Sequence, residues 1–200
     1  MGTNYSLTVD HNGTELGDFC IYQTLDDQVE NILSLVWFKK SAHPGTRLKF
    51  DWTVDYSFAW DEKGELIPGV IFDASQIVPA DPTDTTNNSI GFTKSGGAYK
   101  FGKVDVPTSR GSLSIHCDGT IPANSASIGI GMSGNASFAC VASPNLHYTF
   151  SPHPRYWIAF GSFKEGEVID LNKMTRKQEI HYNVNEYDKH ITLAGDNTWK

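Results

Sequence analysis

Trp52-Thr53-Val54-Asp55-Tyr56-Ser57-Phe58-Ala59-Trp60 is the stretch that decides the fold class, because large apolar side chains occupy every second position. Successive side chains of an extended strand point to opposite faces, so a strand would separate these residues from the small and polar ones between them. A helix would scatter the same residues around its circumference. We therefore expect a strand in which one face presents Trp52, Val54, Tyr56, Phe58 and Trp60.

Short extended runs separated by turn residues continue on both sides of this stretch, with strands expected at 47–60 and 68–75 and an exposed loop over 79–89. Segment 31–41 is ambiguous between a buried strand and a short helix, and its Val, Trp and Phe favour a strand. The run 128–132 alternates with glycines that indicate close backbone packing or a bulge. After Gly166 the pattern weakens, and both strands and a helical turn within 171–180 remain open.

A dozen or so short strands in 200 residues predict an all-β fold, because strands of this length bury their apolar faces by packing one sheet on another. The hydrophobic fraction of 39% supplies enough apolar surface for such a core. We expect a single β-sandwich domain spanning residues 1–200, built from two packed, largely antiparallel sheets, with under about a fifth of the residues in helix.

The net charge of −7 argues against a nucleic-acid partner, which would need clustered Lys and Arg. No apolar run approaches the roughly twenty residues of a membrane-spanning helix, so no membrane span is predicted. The N-terminus lacks a basic segment followed by an apolar one, so no signal peptide is visible. Charge and hydropathy therefore predict a protein that has neither a nucleic-acid partner nor a membrane span.

No catalytic motif is visible: Gly-x-Ser-x-Gly, Cys-x-x-Cys and the phosphate-binding Gly-rich loop are all absent. The carboxylate pairs Asp26-Asp27 and Asp81/Asp84 lack the spacing of a calcium loop. His116 and His147 alternate with apolar side chains on their strands, so we expect them on an exposed polar face. We predict no catalytic residues, no cofactor and no metal, and a chain that is not an enzyme.

Three cysteines cannot all pair within one chain, so either all are reduced and buried or at least one is available to another chain. Cys117 and Cys140 follow the apolar phase of their strands and are expected to be buried. Cys20 is out of phase with its apolar neighbours Phe19 and Ile21, so we expect it to be the most accessible thiol. The candidates for an intermolecular disulfide are therefore Cys20, Cys140 and Cys117.

Five Trp and eight Tyr raise the question of sugar binding, because aromatic faces stack on pyranose rings. Core packing is the commoner role, and the alternating phase assigns Trp52 and Trp60 to the core. The aromatic residues that remain as candidates for surface binding, including binding of a glycan, are Trp37, Trp157 and Trp199.

Several long motifs, distributed from about residue 5 to Trp199, resemble the RhiA-like proteins, which take their name from a rhizosphere-expressed bacterial protein. They include residues 33–40, 43–46, 50–60, 69–76, 118–122, 127–134 and 150–157. The resemblance implies no catalytic residues. A looser association links the chain with octins, proteins of bacterial origin that form dense crystals in fungal vacuoles through intermolecular disulfides.

This resemblance and the unpaired thiol lead to the expectation of a non-enzymatic self-assembling protein, with a protein inclusion or crystal as its assembled form. Its partner would be another copy of itself. An intracellular inclusion or vacuole is the favoured location, and a periplasmic or secreted one is open. The alternative is a carbohydrate- or surface-binding β-sandwich module, and a hydrolase with scattered catalytic residues is the third interpretation.

Overall fold

The computed structural model describes residues 2–25, 31–104, 106 and 108–200, and the Asp26-Asp27 pair lies outside them. The described residues form strands and no helix. The strands are β1 (Asn4–His11), β2 (Gly17–Leu25), β3 (Leu33–Ser34), β4 (Val36–Ala42), β5 (Arg47–Thr53), β6 (Tyr56–Asp61), β7 (Gln76–Ala80), β8 (Ser89–Ser95), β9 (Ala98–Gly102), β10 (Leu113–Cys117), β11 (Ser127–Met132), β12 (Asn135–Val141), β13 (His147–Phe150), β14 (Pro154–Gly161), β15 (Lys177–Ile180) and β16 (Asp188–Leu193). The predicted all-β fold is confirmed, and none of the described residues forms a long apolar helix of the kind that crosses a membrane.

The strands form four sheets rather than the two expected from the sequence. Sheet I has the order β16-β1-β5, and sheet II has the order β15-β14-β2-β4. Sheet III has the order β3-β12-β11-β6-β7, and sheet IV has the order β13-β10-β8-β9. Pairing is largely antiparallel, with parallel exceptions at β1–β16 and β10–β8. Two pairs of sheets therefore replace the single pair that was predicted.

Each pair of sheets encloses its own apolar core. Sheets III and IV enclose the core that contains Phe58, Trp60, Phe92, Ile115 and Phe150, and we call this pair the first sandwich. Sheets I and II enclose the core that contains Leu7, Phe19, Trp37, Phe50 and Trp52, and this pair is the second sandwich. The chain passes between the two sandwiches several times, since β3 and β6–β13 belong to the first and the other strands to the second.

The stretch 52–60 does not form one strand. It divides between β5, which ends at Thr53, and β6, which begins at Tyr56. Trp52 enters the second core, whereas Phe58 and Trp60 enter the first. The prediction of a single strand with one apolar face is therefore wrong, because the chain crosses between the sandwiches at Val54 and Asp55. The period of two is preserved within each half.

The glycines of β11 allow its backbone to pack closely against β12, as their alternation predicts. A Cβ atom built on Gly129 would lie 2.0 Å from the carbonyl oxygen of Phe138 in β12. The pairing of β11 with β12 also shifts register between Ile130 and Gly131, as in a β-bulge. Both expectations for this strand, close packing and a bulge, are confirmed.

The remaining local predictions are partly confirmed and partly wrong. Segment 31–41 is extended, as favoured, and contributes β3 and most of β4. Residues 68–75 form no strand, and only Ile71 makes an isolated bridge there, to Glu167. Residues 171–180 contain a turn and β15 rather than a helical turn. Segment 66–72 instead packs over the outer face of sheet III, where Leu66 and Phe72 contact Ala59 and Ala139.

Candidate functional site

All three cysteines are buried and reduced: Cys20 is 0% exposed, Cys140 is 1% and Cys117 is 2%. The expectation that Cys20 is the accessible thiol is wrong. Its phase was correctly assigned, since Phe19 and Ile21 face the second core and Cys20 faces away from it. However, the outer face of sheet II is covered by chain that contains Phe163, Ile169 and Met174, so β2 is buried on both faces.

Burial also removes the reactivity of the thiols. It is the main cause that raises the pKa of Cys117 to about 12, and it raises the pKa values of Cys20 and Cys140 further. Since the thiolate is the reactive form, none of the three is prepared for exchange with another chain. The intermolecular disulfide expected of Cys20 has no accessible sulfur in the folded chain.

The three predicted surface tryptophans lie in separate places. Trp37 is 0% exposed, and its indole N–H donates to the carbonyl oxygen of Met132 at 2.9 Å. The prediction that Trp37 binds a ligand at the surface is therefore wrong. Trp157 is half-buried, stacks on Tyr22 and donates to Thr24 Oγ1 at 3.0 Å. Trp199 is half-buried and donates to the carbonyl oxygen of Arg176 at 3.0 Å. These three residues do not form a common platform.

An open cavity of about 620 Å³ lies where β1, β5 and the start of β16 meet at one end of sheet I. We call it the aromatic cavity. Four of its lining residues are aromatic and the other seven are polar or charged. They are Asn4, Tyr5, Ser6, Phe38, Lys49, Asp51, Trp52, Thr53, Ser133, Tyr187 and Asp188.

The register of sheet I arranges these residues in two rows. Tyr5 lies opposite Trp52, whereas Ser6 lies opposite both Asp51 and Asp188. Opposed residues on neighbouring strands point to the same face of a sheet, so Asp51, Ser6 and Asp188 form a polar row across three strands. The aromatic pair faces the other way, and the cavity is lined by members of both rows.

The aromatic side of the cavity rests on a rigid cluster of rings. Tyr5 lies 4.8 Å from Tyr182, 5.6 Å from Tyr187 and 6.2 Å from Trp52, measured between ring centroids. The Tyr182 hydroxyl donates to the carbonyl oxygen of Ser6 at 2.8 Å. Burial is the main cause that raises the pKa of Tyr182. Tyr187 is 44% exposed at the outer end of this cluster, so its ring is available to a ligand.

The polar side of the cavity is charged and already organised. Lys49 Nζ lies 2.7 Å from Asp51 Oδ1, and hydrogen bonding to Asp51 is the main cause that raises the pKa of Lys49. Ser6 Oγ donates to Asp188 Oδ1 at 2.5 Å. Each carboxylate keeps acceptor capacity beyond these contacts, since an ionised carboxylate offers about four lone-pair positions. The charged side chains that the cavity offers to the hydroxyl groups of a ligand are therefore two carboxylate acceptors, Asp51 and Asp188, and one ammonium donor, Lys49.

A second cavity, of about 390 Å³, lies beside a pair of histidines in sheet IV. His116 in β10 lies opposite His147 in β13, and their Nδ1 atoms are 2.6 Å apart. His116 is only 8% exposed, so the expectation that both histidines occupy an exposed polar face is wrong for this one. Burial first, and the neighbouring His147 second, lower the pKa of His116.

Sequence reasoning missed both arrangements. Tyr5 and Tyr187 are separated by most of the chain, and the parallel pairing of β1 with β16 that brings them together has no local sequence signal. The two histidines lie on strands that the alternation had identified, and only their register was lacking. Among the residues that the structure describes, no group of three or more His, Cys, Asp or Glu side chains is arranged to hold a metal ion.

Comparison with known proteins gives one consistent result. The family model described as RhiA matches residues 2–200. The chain is 34% identical over 202 aligned positions to Protein RhiA of Rhizobium leguminosarum bv. viciae, and the match covers 100% of this chain and 86% of that protein. No solved structure matches the chain.

Proposed function

The chain belongs to the RhiA family, and from this premise we propose that it is a non-enzymatic, carbohydrate-binding β-sandwich protein. The observation that supports this function is the aromatic cavity, where an exposed tyrosine ring lies beside a row of carboxylate and hydroxyl groups. Ligand sites commonly combine apolar and aromatic walls with a few convergent polar groups, which fix the orientation of the ligand.

A sugar has the complementary chemistry to this cavity. The apolar face of a pyranose ring stacks on an aromatic ring, and Tyr187 offers such a ring at the mouth of the cavity. Hydroxyl groups at the edge of a sugar need hydrogen-bond acceptors when they leave water, and Asp51 and Asp188 provide them. The ligand class is therefore a neutral or amino sugar rather than an anionic one.

Replacing Tyr187 with alanine is expected to weaken sugar binding by about 1 to 2 kcal/mol, or roughly five- to thirtyfold in Kd, because it removes the exposed stacking surface. The fold should be retained, since Tyr187 is 44% exposed. The ligand is selected on a printed array of neutral and amino-sugar glycans, and the best soluble oligosaccharide is then titrated by calorimetry against both proteins.

Val184→Ala is the matched control, because Val184 precedes Tyr187 by three residues, is 93% exposed and does not line the aromatic cavity. It should bind as the wild type does. Equal loss in both variants, or no array signal with the wild type, would contradict the proposed site. Release of reducing ends from the bound oligosaccharide would instead contradict the non-enzymatic part of the proposal.

Self-assembly is the second candidate function, and two exposed side chains at sheet edges favour it. Ile77 lies in β7, an edge strand of sheet III, and is 40% exposed. Leu146 precedes β13, an edge strand of sheet IV, and is 50% exposed. Edge strands present unpaired backbone groups to a neighbouring chain, and an exposed aliphatic side chain adds apolar contact area. The proposed assembly is non-covalent.

We expect any oligomer to be independent of reductant, because the three thiols are buried. Sedimentation velocity at several protein concentrations should give the same distribution with and without dithiothreitol, and native protein should react with less than one equivalent of Ellman's reagent. The double variant Ile77→Lys/Leu146→Lys should shift the distribution toward monomer. A dimer that disappears on reduction would instead favour the disulfide mechanism.

A further inference from the structure

We propose that His116 and His147 form a binding site for a divalent transition-metal ion of the copper(II) or nickel(II) class. The two residues face each other across the β10–β13 pair, and their Nδ1 atoms lie within 2.6 Å of each other. Imidazole nitrogen is a ligand that suits copper, nickel and zinc. The site is separate from the aromatic cavity and does not depend on the proposed sugar binding.

The distance between the two Nδ1 atoms sets how far the rings must move to bind an ion of each geometry. The two Nδ1 atoms are 2.6 Å apart. Metal–nitrogen bonds of about 2.05 Å at a right angle place two nitrogens about 2.9 Å apart, whereas a tetrahedral angle places them about 3.3 Å apart. A square-planar or octahedral ion therefore requires the two Nδ1 atoms to move apart by about 0.3 Å. Tetrahedral zinc requires them to move apart by about 0.7 Å. The geometry favours copper(II) and nickel(II).

Metal binding must displace the proton that lies between the two rings. In the hydrogen-bonded pair one Nδ1 carries a proton that the other Nδ1 accepts. When the ion binds both Nδ1 atoms, that proton moves through solvent to the Nε2 atom of the same ring. Binding therefore changes one tautomer and releases no net proton.

The surroundings set a modest affinity. Asp118 and Asn145 line the adjoining cavity, but no carboxylate of the described residues joins the two histidines in a group arranged to hold a metal ion. Lys103 lines the cavity too, and its positive charge opposes a dication. His116 Nε2 is buried and has no hydrogen-bond partner among the described residues, whereas metal-bound histidines usually donate their second N–H. Binding should therefore be clearly weaker than at a site with three or four protein ligands.

Electron paramagnetic resonance of the protein loaded with one equivalent of copper(II) tests the proposal. The wild type should show hyperfine coupling to two imidazole nitrogens, and His147→Ala should show at most one and lose about tenfold or more in affinity by calorimetry. Because His147 is exposed, the variant is expected to keep the thermal transition of the wild type. Nickel(II) should bind at least as tightly as zinc(II).

His153→Ala is the control, since His153 is also exposed and follows β13 by three residues. It should leave the copper spectrum unchanged. A wild-type spectrum with one nitrogen, equal copper affinity in the wild type and His147→Ala, or zinc(II) binding more tightly than nickel(II) would each overturn the proposal. If His147→Ala shifts the thermal transition, His147→Asn serves as the second variant and the same spectral outcomes apply.

Discussion

Gly129→Ala is expected to lower the free energy of unfolding by about 3 kcal/mol or more, although it adds a single methyl group. The new Cβ would lie 2.0 Å from the carbonyl oxygen of Phe138, which belongs to the neighbouring strand of the same sheet. A backbone atom cannot rotate away as a side chain can, so relief requires β11 to separate from β12. Urea unfolding followed by tryptophan fluorescence measures the loss.

Gly102→Ala provides the comparison, because Gly102 lies in the edge strand β9 and a Cβ there meets no atom within 4 Å. That substitution should change the free energy of unfolding by no more than about 0.5 kcal/mol. Similar stability of the two variants would show that the contact at Gly129 is relieved without cost, and the tight β11–β12 packing would then not be a determinant of the fold.

The glycine alternation in β11 was readable from the sequence because a missing side chain in a strand has a local meaning: close backbone approach or a bulge. The break at Val54 and Asp55 was not readable. Alternation continues through the break, since Trp52 and Phe58 both point into apolar cores, and only the assignment to two sandwiches separates them. Local periodicity indicates that one face of a strand is buried, but it does not indicate which core that face enters.

Cys20 shows a second limit of periodicity. The alternation placed it correctly on the face opposite Phe19 and Ile21, and the error came from equating the opposite face with solvent. Whether a second face is covered depends on distant chain, here the segment that contains Ile169 and Met174. The run Phe19-Cys20-Ile21-Tyr22 is continuously apolar, which is the pattern of a strand that is buried on both faces, so this signal could have corrected the prediction.

The candidate sites were harder to predict from local sequence signals than the fold class was. The aromatic cavity depends on a parallel pairing between the first and last strands, and its polar row exists only because Ser6 lies between Asp51 and Asp188. The histidine pair depends on the register of β10 and β13. Residue type suggests which chemistry is available, and long-range register decides which side chains meet. The sequence therefore supported the fold class more strongly than any site.

Trp37→Ala is expected to cost about 3 to 5 kcal/mol of unfolding free energy, the range for removing a large buried aromatic side chain. Trp37 is 0% exposed and lies 5.6 Å from Trp52 and 6.2 Å from Tyr156, measured between ring centroids. It also joins the two sandwiches, since it belongs to β4 in sheet II and donates to the carbonyl oxygen of Met132 in β11 of sheet III. Its removal should loosen Trp52 and so weaken sugar binding in the aromatic cavity.

Two further variants separate the contributions of Trp37. Trp37→Phe keeps most of the apolar contact but leaves the Met132 carbonyl without its donor, so a loss of about 1 to 3 kcal/mol is expected from the hydrogen bond and the smaller ring. Trp157→Ala removes the same residue type from a half-buried position and should cost under about 2 kcal/mol. Urea unfolding of the three variants measures these differences. If Trp157→Ala proved as damaging as Trp37→Ala, the indole of Trp37 would be one core side chain among others rather than a stabilising link between the two sandwiches.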